Sequence, residues 1–136
     1  MKVLVCGSIG FGGLSEIREI QSLLRKEGFA VLDHISEKGM DYSGIEDFRD
    51  KKDLAQEIVN HDLDFVRKSD VIVALLNRPS YGTAIEIFVA KELGKKVVFL
   101  SERQVPTPWP IAFSNSVVKT KKELISTLRE LKKAIL

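Results

Sequence analysis

The sequence predicts an α/β protein: a flavodoxin-like three-layer α/β/α sandwich whose five-stranded parallel sheet has the order 2-1-3-4-5. Three observations carry that expectation. Val71 to Leu76 is an unbroken apolar run, β-branched at Val71, Ile72 and Val73, as in a strand covered on both faces. Lys2 to Cys6 and Lys96 to Leu100 are shorter runs of the same kind. Between the runs lie segments of helical period that stop at a glycine, the pattern of βαβ units.

Taken in order, Lys2 to Cys6 is the first strand, followed by the glycine-rich stretch Gly7-Ser8-Ile9-Gly10-Phe11-Gly12-Gly13. A helix is expected from about Leu14 to Glu27, with Ile17, Ile20 and Leu24 on one face and Gly28 as its stop. Phe29 to His34 is the second strand. Residues 35–50 are polar and punctuated by glycine, a loop over the top of the sheet, and loops this long are usually functional. The second helix runs from about Lys51 to Lys68, and the central strand follows it. Turn formers Asn77 to Gly82 then lead to a helix predicted from Thr83, with Ile85, Phe88 and Val89 toward the sheet and Gly94 as its stop. Residues 101–115 carry three prolines and Trp109, an irregular connection, before an edge strand at Val117-Val118. Leu124, Leu128, Leu131 and Ile135 mark the last helix.

At 136 residues, the chain is expected to form one domain, residues 1–136, with a core that needs no staples. The balance of 21 basic and 19 acidic residues gives a net charge of +2, and Lys and Arg are dispersed, which argues against a nucleic-acid polymer as partner. No apolar run approaches membrane-spanning length, so no membrane partner is expected. A single cysteine, Cys6, excludes an intrachain disulfide; with no signal segment legible, a cytoplasmic location is expected. Cys6 ends a buried strand and is expected to be an inert core thiol.

Chemistry-bearing residues converge on the carboxyl end of the sheet, where open α/β sheets bind ligands. The loop Gly7–Gly13 joins a strand to a helix, so its backbone N–H groups and the helix dipole favour an anion. It lacks the Gly-Lys-Ser/Thr of a P-loop, and Ser15 occupies the position where a dinucleotide fingerprint needs glycine or alanine. A nicotinamide cofactor stays open only through Asp33, at the end of the second strand. On the second helix, Leu54, Ala55, Ile58, Val59, Phe65 and Val66 form an apolar stripe with Asp62 in its middle. A carboxylate aimed inward is costly unless paired or hydrogen-bonded, so Asp62 either caps a neighbouring loop or serves a site. His61 lies at the edge of that stripe, with no second histidine at metal-ligand spacing. Glu86 is expected in the first turn of its helix, beside the inward stripe of Val89, Ala90 and Leu93. Two roles are open for it: closing a capping box from Thr83, or acting in a site. Paired carboxylates suit glycosidic cleavage, and Ser80 with the backbone of Gly82 and Thr83 adds donors at a helix N-terminus.

With these residues in place the chain resembles the nucleoside 2-deoxyribosyltransferase superfamily, and within it the 2′-deoxynucleoside 5′-monophosphate N-hydrolases. The resemblance covers roughly residues 3–104 and rests on Val5-Cys6-Gly7-Ser8-Ile9, His61-Asp62-Leu63 and Pro79-Ser80-Tyr81-Gly82-Thr83-Ala84-Ile85-Glu86. It implies that Glu86 is the nucleophile and Asp62 the acid beside it, and that Gly7, Ser8, Ile9, Gly10, Ser80 and Gly82 bind substrate or its phosphate. Ser80 stands where the transferases carry an aspartate; a serine can donate to a phosphate that a carboxylate would repel. The resemblance further implies a homodimer, a small-molecule nucleotide as substrate, and neither metal nor cofactor. The chain departs from the hydrolases at Leu4, where they have a tyrosine, at Gly10-Phe11, where they have an arginine, and at Pro110, where a serine crosses from the neighbouring subunit. Ser8, Arg78 or Ser114 could replace the missing contacts. A deoxyribosyltransferase and a non-catalytic nucleotide-sensing module are the alternatives.

Overall fold

The computed structural model describes residues 1–135. Strands β1 (Lys2–Cys6), β2 (Ala30–Leu32), β3 (Val71–Leu75), β4 (Lys96–Leu100) and β5 (Ser116–Val118) form one parallel sheet in the order β2-β1-β3-β4-β5. Helices α1 (Leu14–Lys26), α2 (Lys52–Lys68), α3 (Tyr81–Glu92), α4 (Trp109–Phe113) and α5 (Lys121–Ile135) connect or follow the strands. The expected fold class and strand order are both present.

Alternation along the strands divides the core between the two faces of the sheet. Val3, Val5, Val71 and Val73 pack with Ile17, Leu24, Leu124 and Leu128, the inward residues of α1 and α5. Leu4, Cys6, Ile72 and Ala74 face the other way, toward Val66 of α2 and Ile87 and Ala90 of α3. Cys6 therefore points at the layer that carries Asp62 and Glu86 because it is two residues from Leu4. Opening the sheet order at β1 and β3 leaves their carboxyl ends beneath the Gly7–Gly13 loop and the β3–α3 loop.

Several boundaries differ from the sequence expectation, each for a local reason. β2 is only three residues long, because Asp33 Oδ1 accepts from the Ile35 and Ser36 backbone N–H groups at 3.0 and 3.2 Å and turns the chain. α3 starts at Tyr81, not Thr83: Ser80 is its N-cap and accepts from the Thr83 N–H at 3.2 Å. Glu86 consequently sits in the second turn, and no capping box involves it. The inward face of α3 is Thr83, Glu86, Ile87 and Ala90, while Ile85 and Phe88 are exposed. Val59 of α2 is likewise exposed. Within the proline-rich connection, Trp109–Phe113 closes a short helix with Pro110 in its first turn.

Two glycines of the first loop are there for space. A Cβ on Gly7 would meet Ile17 of α1 at 3.0 Å and Leu75 of β3 at 3.4 Å, so this glycine lets α1 close on the sheet. A Cβ on Gly13 would lie 2.2 Å from the Ser8 carbonyl oxygen, a contact that only a backbone shift relieves. Gly13→Ala should therefore destabilise the protein by about 2–3 kcal/mol, in the upper range for overpacking. Urea titration reads that change, and an unaltered midpoint would contradict the tight closure of the loop.

Candidate active site

The two carboxylates singled out by their inward placement lie near enough for the charge of one to act on the other. Glu86 is 7% exposed, on the inward face of α3, and Asp62 is half-buried on α2, its side chain 15% exposed. Glu86 titrates at about 8 rather than 4.5: burial raises it most, the charge of Asp62 raises it further, and a hydrogen bond from Cys6 acts against both. That bond runs from Cys6 Sγ to Glu86 Oε2 at 3.4 Å and is the one side-chain donor to Glu86 among the described residues. Asp62 is raised as well, chiefly by burial, against the lowering effect of His61, whose Nδ1 lies 3.2 Å from Asp62 Oδ1. His61 is more than the edge residue expected: its ring packs 4.9 Å from Phe65, and its Nε2 lies 2.9 Å from Glu37 Oε2 outside hydrogen-bonding alignment. Both carboxyl groups are thus raised by burial, and the charge of Asp62 reaches Glu86, the kind of environment that sets an acid apart from a nucleophile.

The loop residues divide by what their atoms offer. Ser8 is buried and its hydroxyl has no partner among the described residues, so it is available to a ligand. The Ile9 side chain is in the core, which leaves only its backbone for binding, and Gly7 serves packing as described. Gly10 lies under the ring of Tyr42, which approaches to 3.5 Å of the place a Cβ would occupy. Ser80 Oγ accepts from both Thr83 N and Thr83 Oγ1 at 3.2 and 3.0 Å, so its own proton is free to be donated. A Cβ on Gly82 would be 3.9 Å from Glu86 Oε1, which places that oxygen beside the start of α3.

Tyr42 and Arg78 complete the surroundings. Tyr42 descends from the β2–α2 loop, packs edge-on against Phe48 at 5.7 Å, and titrates at about 12 through burial and the charges of Asp62 and Glu86. Nothing but the length of its loop marked it in the sequence. Arg78 Nη1 lies 3.6 Å from the position of a Cβ on Gly12, over the glycine loop, and no ion pair among the described residues uses it. Ser114 is engaged, donating to the Pro110 carbonyl. Asp33 is engaged too, by Arg18 at 2.8 Å and by two backbone N–H groups, and is not free to read a ribose. A cleft of about 890 Å³ opens beside the β3–α3 loop, with Phe11, Arg78, Ser80, Tyr81, Trp109 and Pro110 in its walls.

A model of the family described as nucleoside 2-deoxyribosyltransferase matches residues 5–131. The chain belongs to that family. Its curated relatives include the 5-hydroxymethyl-dUMP N-hydrolase of Danio rerio, 30% identical over 103 residues, which are 74% of this chain and 68% of that protein. The protein of the same name from Tetraodon nigroviridis is 31% identical over 103 residues, 74% of this chain and 69% of its own. Among solved structures, a 2-deoxyribosyltransferase from Bacillus psychrosaccharolyticus superposes with a TM-score of 0.73 at 16% identity, over 92% of this chain and 90% of that one. The CMP N-glycosidase of Clostridium botulinum gives 0.57 at 19% identity, over 96% and 99%. Both structural likenesses are of fold.

The raised titration of Glu86 has a consequence for stability. The unfolded chain loses this proton near 4.5 and the folded one keeps it to about 8, so the folded state binds more protons between those values. Stability from this group is therefore lost as pH rises through that window, and Asp62 contributes in the same sense. Glu86→Gln should be more stable than the parent at pH 8.5 by on the order of 2–4 kcal/mol, with the gap closing toward pH 5. Denaturation at the two pH values decides this; a gap independent of pH would contradict the buried carboxyl.

Proposed function

We propose that this protein is an N-glycosidase that hydrolyses the base–sugar bond of 2′-deoxynucleoside 5′-monophosphates, with Glu86 as nucleophile and Asp62 as the neighbouring acid. The observation that carries the reading is the pair itself: two inward carboxyl groups, one of them buried and without a capping duty, at the ligand-binding end of the sheet. Glu86, which holds its proton in the empty pocket, passes it to Asp62 and attacks the anomeric carbon as the carboxylate while the bond to the base breaks; the base leaves with the bonding electrons and takes that proton from Asp62. Water then opens the glycosyl-enzyme ester. The names of the N-hydrolase relatives support a nucleotide as substrate.

Phosphate recognition keeps Ser8 and Ser80 of the family pattern and draws its positive charge from a different residue. Ser8 and Ser80 offer free hydroxyl protons, the N-terminus of α3 offers its dipole, and Arg78 brings the positive charge over Gly12 that Gly10-Phe11 does not supply. Binding energy from this distant group positions the anomeric carbon at Glu86. Chromatography for free base after incubation with a panel of nucleoside monophosphates and nucleosides tests the whole reading. Base should appear from deoxynucleotides with the parent and not with Glu86→Gln. Arg78→Ala should lower kcat/KM for nucleotides about 10- to 100-fold, the worth of one charged contact, and leave nucleosides unaffected. Exchange with added free base would make the protein a transferase, and nucleotide binding without base release would make it a sensing module.

A homodimer is part of this proposal. Tyr81, Trp109, Phe11, Ile85 and Phe88 are exposed at 46–87%, grouped on α3, α4 and the adjoining loop, an apolar face of the kind a second copy covers. Sedimentation should show a dimer for the parent and a monomer for Tyr81→Lys combined with Trp109→Lys; a monomeric parent would contradict it.

A further inference from the structure

The thiol of Cys6 makes a contact that packing alone does not require. Cys6 is fully enclosed at the end of β1, among Leu4, Ile72, Ala74, Ile87 and Phe99, and its Sγ lies 3.4 Å from Glu86 Oε2. No other side chain of the described residues donates to that carboxyl group. The second oxygen, Oε1, lies on the side of Gly82, at the exposed start of α3. One oxygen is thus held against the sheet and the other is turned toward the end of α3 where ligand would approach.

We propose that Cys6 is a positioning residue: its S–H donates to Glu86 Oε2, fixes the rotamer of the carboxylate, and reserves Oε1 for attack on the anomeric carbon. The proposal rests on the reading of Glu86 as nucleophile. Cys6 exchanges no atom in the reaction. As Oε1 forms its bond to the sugar and the bond to the base breaks, Oε2 becomes the carbonyl oxygen of the ester, and the same S–H continues to donate to it. When water releases the sugar, Oε2 returns to a carboxylate oxygen without the thiol having moved.

Two features fit a thiol here better than a hydroxyl. Burial, followed by the charge and hydrogen bond of Glu86 and the charge of Asp62, holds Cys6 well above its ordinary titration range, so it stays a donor and not a thiolate. Its surroundings are apolar, and a thiol left momentarily unpartnered among them costs far less than a hydroxyl in the same place. Donation to Glu86 also favours its ionised form, which moves its proton toward Asp62, where the departing base needs it. The charge that acts on Glu86 is that of Asp62 from α2; the Cys6 thiol from β1 acts on it as a neutral hydrogen-bond donor, and the Tyr42 phenol from the β2–α2 loop feels both acids.

The test pairs Cys6→Ala, which removes the donor, with Cys6→Ser, which keeps one. Carbon-13 NMR of the Glu86 carboxyl, assigned by its absence in Glu86→Gln, follows titration in the full chain without any turnover. In Cys6→Ala the midpoint should rise by about half a unit or more, and kcat/KM at neutral pH should fall roughly three- to tenfold while recovering in alkali. Cys6→Ser should stay within about twofold of the parent in rate and hold the midpoint. A merely structural role would lower the melting temperature of Cys6→Ala with the midpoint unmoved, and that result overturns the proposal. So does a Cys6→Ser variant as slow as Cys6→Ala. Base release surviving in Glu86→Gln would overturn the nucleophile reading instead, and it is seen in a separate sample.

Discussion

A carboxyl group enclosed between the sheet and α2 is the constraint to which the rest of this site answers. Glu86 in water would ionise freely; in its pocket the charge is penalised by burial and by Asp62, and a single soft donor offsets part of that cost. Placing it there requires α3 to turn a polar face inward. Thr83 and Glu86 occupy positions that an ordinary covering helix fills with leucine or isoleucine, while Ile85 and Phe88 look outward. The inversion is partial, since Ile87 and Ala90 still face the sheet. Such a local violation is stable only where something else covers the displaced apolar side chains and where the inward acid has a use.

The same inversion marks the boundary of what the sequence disclosed. β1, β3 and β4 were legible because a strand covered on both faces is apolar at every position, and the glycines after α1 and α3 end those helices with φ of 88° and 73° as a stop requires. Asp62 stood out because it interrupted an apolar stripe. For α3 the same rule failed: assuming apolar residues face inward placed Ile85 and Phe88 on the sheet and left a capping box open to Glu86. Ser80 displaced Thr83 as the cap, since its extended backbone, with φ of −146°, presents Oγ to the free N–H of Thr83. That shift by three residues moved Glu86 from the rim of the helix to its second turn.

Other members of the site had no periodic signature. Cys6 looked like core, and it is core; its second role arises only from facing a helix with a glutamate in its inward stripe. Tyr42 lies in a polar loop whose course over Gly10 depends on the turn made by Asp33 and on the packing of Phe48. Asp33 itself illustrates the converse. It sits where a ribose-reading acid is found in dinucleotide folds, yet Arg18 from one turn of α1 and two loop N–H groups already use its oxygens. Strand position identifies a candidate, but hydrogen-bond saturation decides whether it is available.

With Arg78 as the proposed phosphate cation, the site keeps a function while moving the residue that supplies it. The loop after β1 closes on itself at Gly13, with the Ser8 carbonyl pressed against the glycine, and leaves no room there for a longer chain path. Gly10 is covered by Tyr42, so a cation rooted at that position would have to displace an aromatic ring. The facing loop, between β3 and α3, has no such restriction: Arg78 is exposed, flexible in length, and lies over Gly12 from the opposite wall. A long side chain reaching across the cleft delivers its charge to the mouth of the glycine loop without entering it. On that geometry the cation follows the β3–α3 loop, and under the proposed function phosphate selectivity and the placement of Ser80 rest together on one short segment, Arg78-Pro79-Ser80, immediately ahead of the helix that carries Glu86.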